Sequence, residues 1–212
     1  MLDPHTVEVS GRRYEAERIL IATGGTPIMP KIPGREHAHS SDAVFGLDQL
    51  PERVMIVGAG YVALELGSVF LALGVEVTLI HRGEEILRGF DRDLRCHLHD
   101  ELEAKGMRIL LNKQVSALRE ASHGFEAELD DGSTVTTDLP LFAIGRRPNI
   151  AALGLDELGV ELGPWGGIVV DENFTSSVPS IHAVGDVANR LQLTPVAIAA
   201  RHAFRPSLLR SR

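Results

Sequence analysis

A glycine-rich turn at residues 58–63 carries the clearest chemical signal in the sequence. Gly58, Gly60 and Ala63 have the spacing G-x-G-x-x-G/A, directly after the apolar run 54–57 and before a helical pattern. In this context the first glycine permits a tight turn, the second lets a pyrophosphate approach the backbone, and the small third residue permits close packing of helix on strand. N–H groups at the helix start can bind phosphate oxygens. The motif therefore predicts a dinucleotide site; the alternative is an ordinary glycine-rich turn.

The end of the next predicted strand indicates which dinucleotide would bind. An NAD site commonly has Asp or Glu there, bonded to the ribose 2′-OH, but this strand ends in His81 and Arg82, and Arg88 follows. Guanidinium groups bind a 2′-phosphate through paired hydrogen bonds, whereas a carboxylate repels it. The sequence therefore favours NADPH. We expect the intervening Glu84 and Glu85 to face solvent; the alternative is that they weaken the local positive field. The alternative is that both arginines are solvated surface charges.

Alternating strand and helix patterns would position these groups. Apolar runs at residues 54–57, 75–80 and 107–111 alternate with helical patterns at 61–73 and 91–105. This βαβαβ order predicts a parallel sheet with right-handed crossovers. On the first helix we expect one apolar face, formed by Val62, Leu66, Val69, Phe70 and Leu73.

The flanking segments have other patterns. Three alternating runs between residues 115 and 137, with a turn at Asp131 and Gly132, predict an antiparallel meander. Thr194 is expected to begin a last helix and Pro206 to end it. The remaining predicted elements are a hairpin (5–17), strands (18–23, 139–144, 167–170 and 180–184), a loop or linker (26–37) and a short helix (149–158).

Composition excludes several classes of protein. With 212 residues, 44% hydrophobic and 24% charged, the chain is typical of soluble globular proteins. Its net charge of −8 argues against a nucleic-acid partner, and no apolar run approaches the roughly 20 residues of a membrane helix. The first residues show no signal peptide, so a cytoplasmic location is predicted. The single cysteine, Cys96, excludes an internal disulfide and a CxxC pair, and we expect no metal site.

Residues 54–91 resemble the NADPH-binding domain of the glutathione reductase family, which are flavoprotein disulfide reductases. Four more segments are similar to this family, in its order and spacing: ILIATGG (19–25), FAIGRRPN (142–149), HAVGDV (182–187) and LTPVAIAA (193–200). Several motifs in one order are more specific than one glycine fingerprint. The resemblance implies an α/β fold, with a doubly wound, Rossmann-like NADPH-binding domain that includes the antiparallel meander, and part of a FAD-binding domain.

The resemblance also implies a division of the chain into four parts. The central part, residues 49–145, would be the NADPH-binding domain. The other parts would be a FAD-domain segment with a linker (1–48), a returning FAD-domain segment (146–200) and a divergent tail (201–212).

On the nucleotide side, the resemblance assigns a role to each matching residue. Tyr61 would cover the flavin face until nicotinamide displaces it, and Glu65 would lie near the nicotinamide. Without the resemblance, these two residues are an ordinary helix-start aromatic and a solvated carboxylate. The residues that would hold NADPH are Gly58, Ala59, Gly60, Val62 and Ala63, with Arg82 and Arg88 on its 2′-phosphate.

On the flavin side, Asp186 would accept a hydrogen bond from a ribityl hydroxyl of FAD, although without the resemblance it is an ordinary turn residue. The helix that begins at Thr194 would direct its positive end at the flavin. The remaining predicted cofactor-binding residues are Thr23, Gly24, Gly145, Arg146 and Gln192.

In the family, electrons pass from NADPH through FAD and a dithiol to glutathione disulfide. The family's FAD fingerprint, redox cysteine pair and interface domain have no counterpart in residues 1–212, which resemble a truncated form. We therefore predict that the chain alone binds NADPH, holds FAD poorly and reduces no disulfide, so no catalytic residue is assigned. Glutathione disulfide would be a partner only in a complete enzyme. Two alternatives stay open: a half-enzyme completed by a second chain, and a non-enzymatic NADPH-binding module.

Overall fold

The strands and helices follow the hydrophobic periodicity of the sequence. The computed structural model describes residues 1–188 and 191–209. The strands are β1 (Thr6–Val9), β2 (Arg12–Glu15), β3 (Ile19–Ile21), β4 (Gly25–Pro27), β5 (His39–Ser40), β6 (Arg53–Val57), β7 (Glu76–His81), β8 (Arg108–Leu111), β9 (Val115–Glu120), β10 (Phe125–Leu129), β11 (Thr134–Thr137), β12 (Leu139–Phe142), β13 (Arg146–Pro148) and β14 (Ile181–Ala183). The helices are α1 (Tyr61–Ala72), α2 (Arg92–Ala104) and α3 (Thr194–Leu209).

The chain forms two units. One consists of Met1–Thr26 and Arg146–Arg212, and the other is Pro27–Gly145. Residues 27–48, which the sequence grouped with the preceding segment, pack in the second unit, where β5 pairs with β12.

A five-stranded parallel sheet is the frame of unit Pro27–Gly145. Its strand order is β5-β12-β6-β7-β8, and every neighbouring pair is parallel. The βαβαβ prediction is therefore confirmed, with α1 and α2 as the connections between β6, β7 and β8. Asp91 caps α2, because its carboxylate accepts hydrogen bonds from the amides of Asp93 (3.0 Å) and Leu94 (3.4 Å).

The buried face of α1 differs from the predicted one. Ala63, Leu64, Gly67 and Phe70 are the buried residues of this helix, whereas the predicted core residues Val69 and Leu73 are 53% and 57% exposed. Steric fit selects the small residues: a Cβ added to Gly67 would lie 3.0 Å from Cε of Met107. The prediction is confirmed for Phe70 and wrong for Val69 and Leu73, because close packing on the sheet needs small side chains.

The antiparallel meander β9-β10-β11 is confirmed. The predicted turn at Asp131 and Gly132 is also confirmed, with Gly132 at φ 81° and a hydrogen bond from Ser133 N–H to the Asp131 carboxylate. Thr137, at the end of β11, joins the meander to the parallel sheet: its buried hydroxyl oxygen accepts a 2.9 Å hydrogen bond from the Met55 amide in β6. The two sheets therefore share one apolar cluster, in which Met55 packs with meander residues.

The other unit has small paired strands around its own core. The hairpin β1-β2 is confirmed, β3 pairs in parallel with β14, and β4 pairs with β13. Within the described residues β3 has no second neighbour, and Leu20 on it is exposed. Ile168 and Ile181 are fully buried in the apolar cluster of this unit.

Three predicted elements in this unit were wrong. Residues 149–158 form turns rather than a helix, because Ala152 and Gly154 have positive φ angles of 61° and 68°, which interrupt a right-handed helix. Residues 167–170 form only an isolated bridge at Ile168. The helix α3 continues through Pro206, because a proline in the last turns removes only one intrahelical donor. None of the described helices has both the length and the apolar character needed to cross a membrane.

Candidate functional site

The turn after β6 requires glycine at its first position. Gly58 has a φ of 122°, and a Cβ there would lie 2.3 Å from the carbonyl oxygen of Ala143. Its amide donates a 2.9 Å hydrogen bond to the Ile80 carbonyl in β7. The turn is thus clamped against the carboxyl ends of neighbouring parallel strands, where open α/β sheets bind their ligands.

The start of α1 leaves room for a ligand. Gly60 is the N-cap residue with an extended backbone, and the amide of Leu64 bonds to its carbonyl at 3.2 Å. A Cβ added to Gly60 would meet no atom within 4 Å, so the surface above this Cα is open. Ala63, one turn later, is fully buried. Together with the N–H groups and positive dipole of the first helical turn, this open surface fits a pyrophosphate group.

A loop of residues 82–88, here called the arginine loop, follows β7 and returns to the glycine turn. The amide of Leu87 donates a 2.7 Å hydrogen bond to the carbonyl of Ala59. Ile86 and Leu87 are buried, whereas Arg82 and Arg88 are exposed. The structure therefore anchors the loop beside the glycine turn and leaves both predicted phosphate-binding guanidinium groups accessible.

Glu85, an acidic residue of the arginine loop, is paired with cations. The sequence had suggested instead that it faces solvent freely. The Glu85 carboxylate forms ion pairs with Arg95 Nη2 (2.5 Å) and Arg92 Nε (3.4 Å), both on α2. Arg95 Nε also donates a 2.8 Å hydrogen bond to the Ile86 carbonyl. Glu84 is exposed, as expected. The Glu85 side chain is 37% exposed, and the prediction missed its ion pairs because α2 returns beside the loop and supplies two cations.

The end of β7 carries no negative charge. Burial and the neighbouring Arg82 charge lower the pKa of His81 below its usual value of 6.5. The His81 carbonyl accepts a 3.1 Å hydrogen bond from the Lys113 amide, and the Gly83 carbonyl accepts one of 3.1 Å from the Asn112 amide. The base of the arginine loop is therefore fixed to the residues that follow β8, with a neutral imidazole at neutral pH where an NAD site has a carboxylate.

The other predicted cofactor-binding residues of this unit lie around α1 and at the end of the unit. Tyr61 and Glu65 are exposed on α1, and Val62 is half-buried. Gly145 is exposed, with a φ of 118°, and its carbonyl accepts a 2.9 Å hydrogen bond from Ile28. The positive φ accounts for glycine at this position.

The predicted flavin-side residues lie in the other unit, and the structure brings several of them together. The Thr23 hydroxyl donates to the Asn149 carbonyl (2.6 Å), and the Asn149 amide donates to the Gly24 carbonyl (2.9 Å). Arg146 Nη2 donates a 2.6 Å hydrogen bond to the Gly25 carbonyl. The sequence assigned no role to Asn149, although it ends the FAIGRRPN segment. Its hydrogen bonds hold residues 23–25 beside residues 146–149.

Asp186 lies beside residue 25 of the same pair of segments. A Cβ added to Gly25 would be 3.5 Å from the Asp186 carboxylate. Asp186 is half-buried in the short 3₁₀ turn Gly185–Ala188, against which Ala197 of α3 packs. Thr194, exposed, begins α3, and Gln192 is half-buried just before it. The helix start and the Asp186 carboxylate therefore occur in the same unit.

No metal-binding cluster of three or more His, Cys, Asp or Glu side chains occurs among the described residues. Cys96 is an exposed free cysteine on α2. The structure thus offers nucleotide-binding geometry, with no dithiol in these 212 residues.

The protein class follows from comparison with known proteins. The family model described as pyridine nucleotide-disulphide oxidoreductase matches residues 1–200, so the chain belongs to this family, whose members use FAD and NAD(P)H. The fold agrees: the chain superposes on the HOCl-induced flavoprotein disulfide reductase RclA from Escherichia coli with a TM-score of 0.92 and 28% identity, covering 100% of this chain and 49% of that one.

Within the family, the chain is similar to glutathione reductases. It is 40% identical to the glutathione reductase of Nostoc sp. over 98% of its length and 48% of the relative's. It is 44% identical to the glutathione reductase of Burkholderia cepacia over 95% of its length and 45% of the relative's. The chain therefore spans about half the length of the curated relatives that it matches.

Proposed function

We propose that this chain is the NADPH-binding portion of a glutathione-disulfide reductase-like flavoprotein. One observation carries the proposal: the hydrogen bond from Leu87 to Ala59 places the arginine loop beside the glycine turn. A pyrophosphate site and a 2′-phosphate site are then adjacent, as in an adenine dinucleotide phosphate. When bound, NADPH supplies the hydride whose electrons, in the family, pass through FAD and a dithiol to glutathione disulfide.

Each part of the site has a proposed task. The glycine turn and the first turn of α1 hold the pyrophosphate, because Gly60 leaves the backbone accessible. Arg82 and Arg88 bind the 2′-phosphate through charge-assisted hydrogen bonds. The neutral imidazole of His81 and the paired state of Glu85 support NADPH over NADH, because neither opposes a phosphate there.

The residues around Tyr61 face the reacting end of the nucleotide in this proposal. Tyr61 is exposed at the start of α1, where by resemblance to the family it would cover the flavin face until nicotinamide takes its place. Glu65, exposed one turn later, would lie near the nicotinamide.

The proposed FAD site is less complete than the proposed NADPH site. Thr23, Gly24, Arg146, Asp186 and Thr194 would form one side of a FAD site, with Asp186 accepting from a ribityl hydroxyl. The parallel strands described in this unit number only two, β3 and β14. A two-stranded sheet is marginally stable as a frame, so we expect the chain alone to hold FAD poorly.

Titration of the purified chain with NADPH and NADH tests the proposal, with absorbance near the flavin band recorded on the same sample. We expect NADPH to bind at least about tenfold more tightly, since each charge-assisted phosphate contact contributes about 1.5–3 kcal/mol. Equal affinity for the two nucleotides, or no binding, would contradict the assignment of the arginine loop. Tight binding without a flavin band would favour a nucleotide-binding module over a flavoenzyme.

A further inference from the structure

Arg95 connects α2 to the arginine loop through two contacts of one guanidinium group. Its Nη2 atom is 2.5 Å from the Glu85 carboxylate, and its Nε donates a 2.8 Å hydrogen bond to the Ile86 carbonyl. The Arg95 side chain is only 17% exposed. A planar guanidinium that binds a carboxylate and a carbonyl at once holds both in a defined geometry.

The partner of Arg95, Glu85, is one of the two carboxylates of the arginine loop; the other, Glu84, is exposed. Glu85 lies between Arg82 and Arg88 in sequence, and its side chain is 37% exposed. Without a paired cation, this carboxylate would add a negative charge to the loop that holds a 2′-phosphate. A phosphate monoester carries nearly two negative charges at neutral pH, so repulsion would weaken NADPH and leave NADH, which lacks this group, almost unaffected.

Arg92 contacts the same carboxylate but in a different setting. Its Nε is 3.4 Å from Glu85, and its side chain is 79% exposed. Water and salt screen such a surface pair strongly. Arg92 therefore offers an internal comparison, because it has the same charge and the same partner as Arg95 but is not shielded from solvent.

We propose that Arg95 is a positioning residue that sets the preference for the 2′-phosphorylated nucleotide. It neutralises Glu85 and fixes the backbone at Ile86, one residue before the Leu87 amide that anchors the loop to Ala59. This inference rests on the proposed NADPH site, and it adds a determinant outside the glycine turn and outside the two phosphate-binding arginines.

The test compares dissociation constants for NADPH and NADH, from nucleotide fluorescence, in the full chain and its variants. Arg95→Gln removes the charge but retains a donor for the Ile86 carbonyl. We expect it to reduce the ratio of NADH to NADPH dissociation constants about fivefold to tenfold, through weaker NADPH binding. The double variant Arg95→Gln/Glu85→Gln restores the ratio, because the opposing carboxylate is gone. The matched control Arg92→Gln changes the ratio less than about twofold.

Several outcomes would overturn the inference. Equal weakening of both nucleotides in Arg95→Gln, or no restoration in the double variant, would make Arg95 merely structural. If Arg95→Gln does not fold, Arg95→Lys decides: it retains the charge and should keep most of the preference, so a lost preference contradicts the proposal. Absence of any preference in the unsubstituted chain is a distinct result, because it overturns the proposed function itself.

Discussion

The backbone amide of Leu87 bonds to the carbonyl of Ala59 at 2.7 Å, which joins the loop after β7 to the turn after β6. Leu87 adopts a φ of 52°, a left-handed conformation that is uncommon for a leucine, and its side chain is buried. The bond and the burial together hold this conformation. The exposed Arg88 follows directly, so the fold presents a cation next to the glycine turn.

Removing the guanidinium groups of the arginine loop should affect one nucleotide selectively. We expect Arg82→Met and Arg88→Met each to weaken NADPH binding about tenfold or more, because each deletes a charge-assisted contact to the 2′-phosphate. NADH binding should change less than about twofold, since NADH lacks that phosphate. Fluorescence titration with both nucleotides measures the difference. A similar loss for NADH would show that the arginines support the loop rather than the phosphate.

Substitutions of the two glycines of the fingerprint should have different effects: Gly58→Ala should lower stability, and Gly60→Ala should lower NADPH affinity. Gly58→Ala places a Cβ 2.3 Å from the Ala143 carbonyl oxygen at a φ of 122°, so we expect destabilisation of more than about 2 kcal/mol in urea unfolding. Gly60→Ala meets no protein atom within 4 Å. It should retain stability while weakening NADPH, because the methyl group occupies the space above the helix start. Normal NADPH affinity in Gly60→Ala would place the pyrophosphate elsewhere.

The hydroxyl of Thr137 should stabilise the junction between the meander and the parallel sheet. It accepts hydrogen bonds from the amides of Met55 (2.9 Å) and Leu139 (3.2 Å) in a fully buried position. Thr137→Val leaves both donors without an acceptor, at about 1–3 kcal/mol each. Urea unfolding should show a clear loss of stability. Thr137→Ser retains the hydroxyl and is the matched control, which measures the loss of the methyl group alone. Unchanged stability in Thr137→Val would contradict the role of the hydroxyl.

Acid should weaken the ion pair between Arg53 and Asp138. The hydrogen bond from Arg53 (Nη2 to Oδ1, 2.6 Å) holds the pKa of Asp138 below its usual 3.8. A carboxylate with a lowered folded-state pKa stabilises the fold above the unfolded-state value, and this contribution disappears as pH falls through the folded-state pKa.

Unfolding midpoints in urea, measured at pH 7 and at steps below pH 3.8, test this pair. Asp138→Asn should be less stable than the unsubstituted chain at pH 7, and the difference should shrink below pH 3.8. The exposed Asp156 provides the control substitution, Asp156→Asn. A difference that does not depend on pH would indicate that packing, rather than charge, stabilises this contact.

The purified chain should not turn over glutathione disulfide with NADPH. These 212 residues contain one cysteine, so an internal dithiol cannot form. We expect NADPH absorbance to stay at the background rate, with or without added FAD, and Cys96→Ser to behave identically. A complete glutathione reductase in the same assay provides the positive control. Turnover by the chain alone would overturn the proposal of an inactive NADPH-binding portion.

Local signals in the sequence determined the nucleotide-binding frame. The βαβαβ order, the turn at Gly58 and the cap at Asp91 depend on hydrophobic periodicity and on the conformations that single residues permit, which act over a few residues. Resemblance to a known family added the flavin-side residues. The match to the family model over residues 1–200 confirms the class.

Long-range packing decided the features that periodicity missed. The packed face of α1 depends on the space that Gly67 leaves beside Met107. The absence of a helix at 149–158 depends on left-handed residues within turns, whose sequence signal is weak outside glycine.

The electrostatics of the arginine loop show most clearly what sequence alone left open. The residue types predicted phosphate-binding cations, but Glu85 sat among them with an unknown effect. Only the tertiary structure brings Arg95 of α2 onto that carboxylate. The strength of a charge depends on its partners and on the surrounding solvent, and both come from segments distant in the chain. The sequence alone therefore predicted where a nucleotide would bind, and the packing of α2 decided which cations surround Glu85.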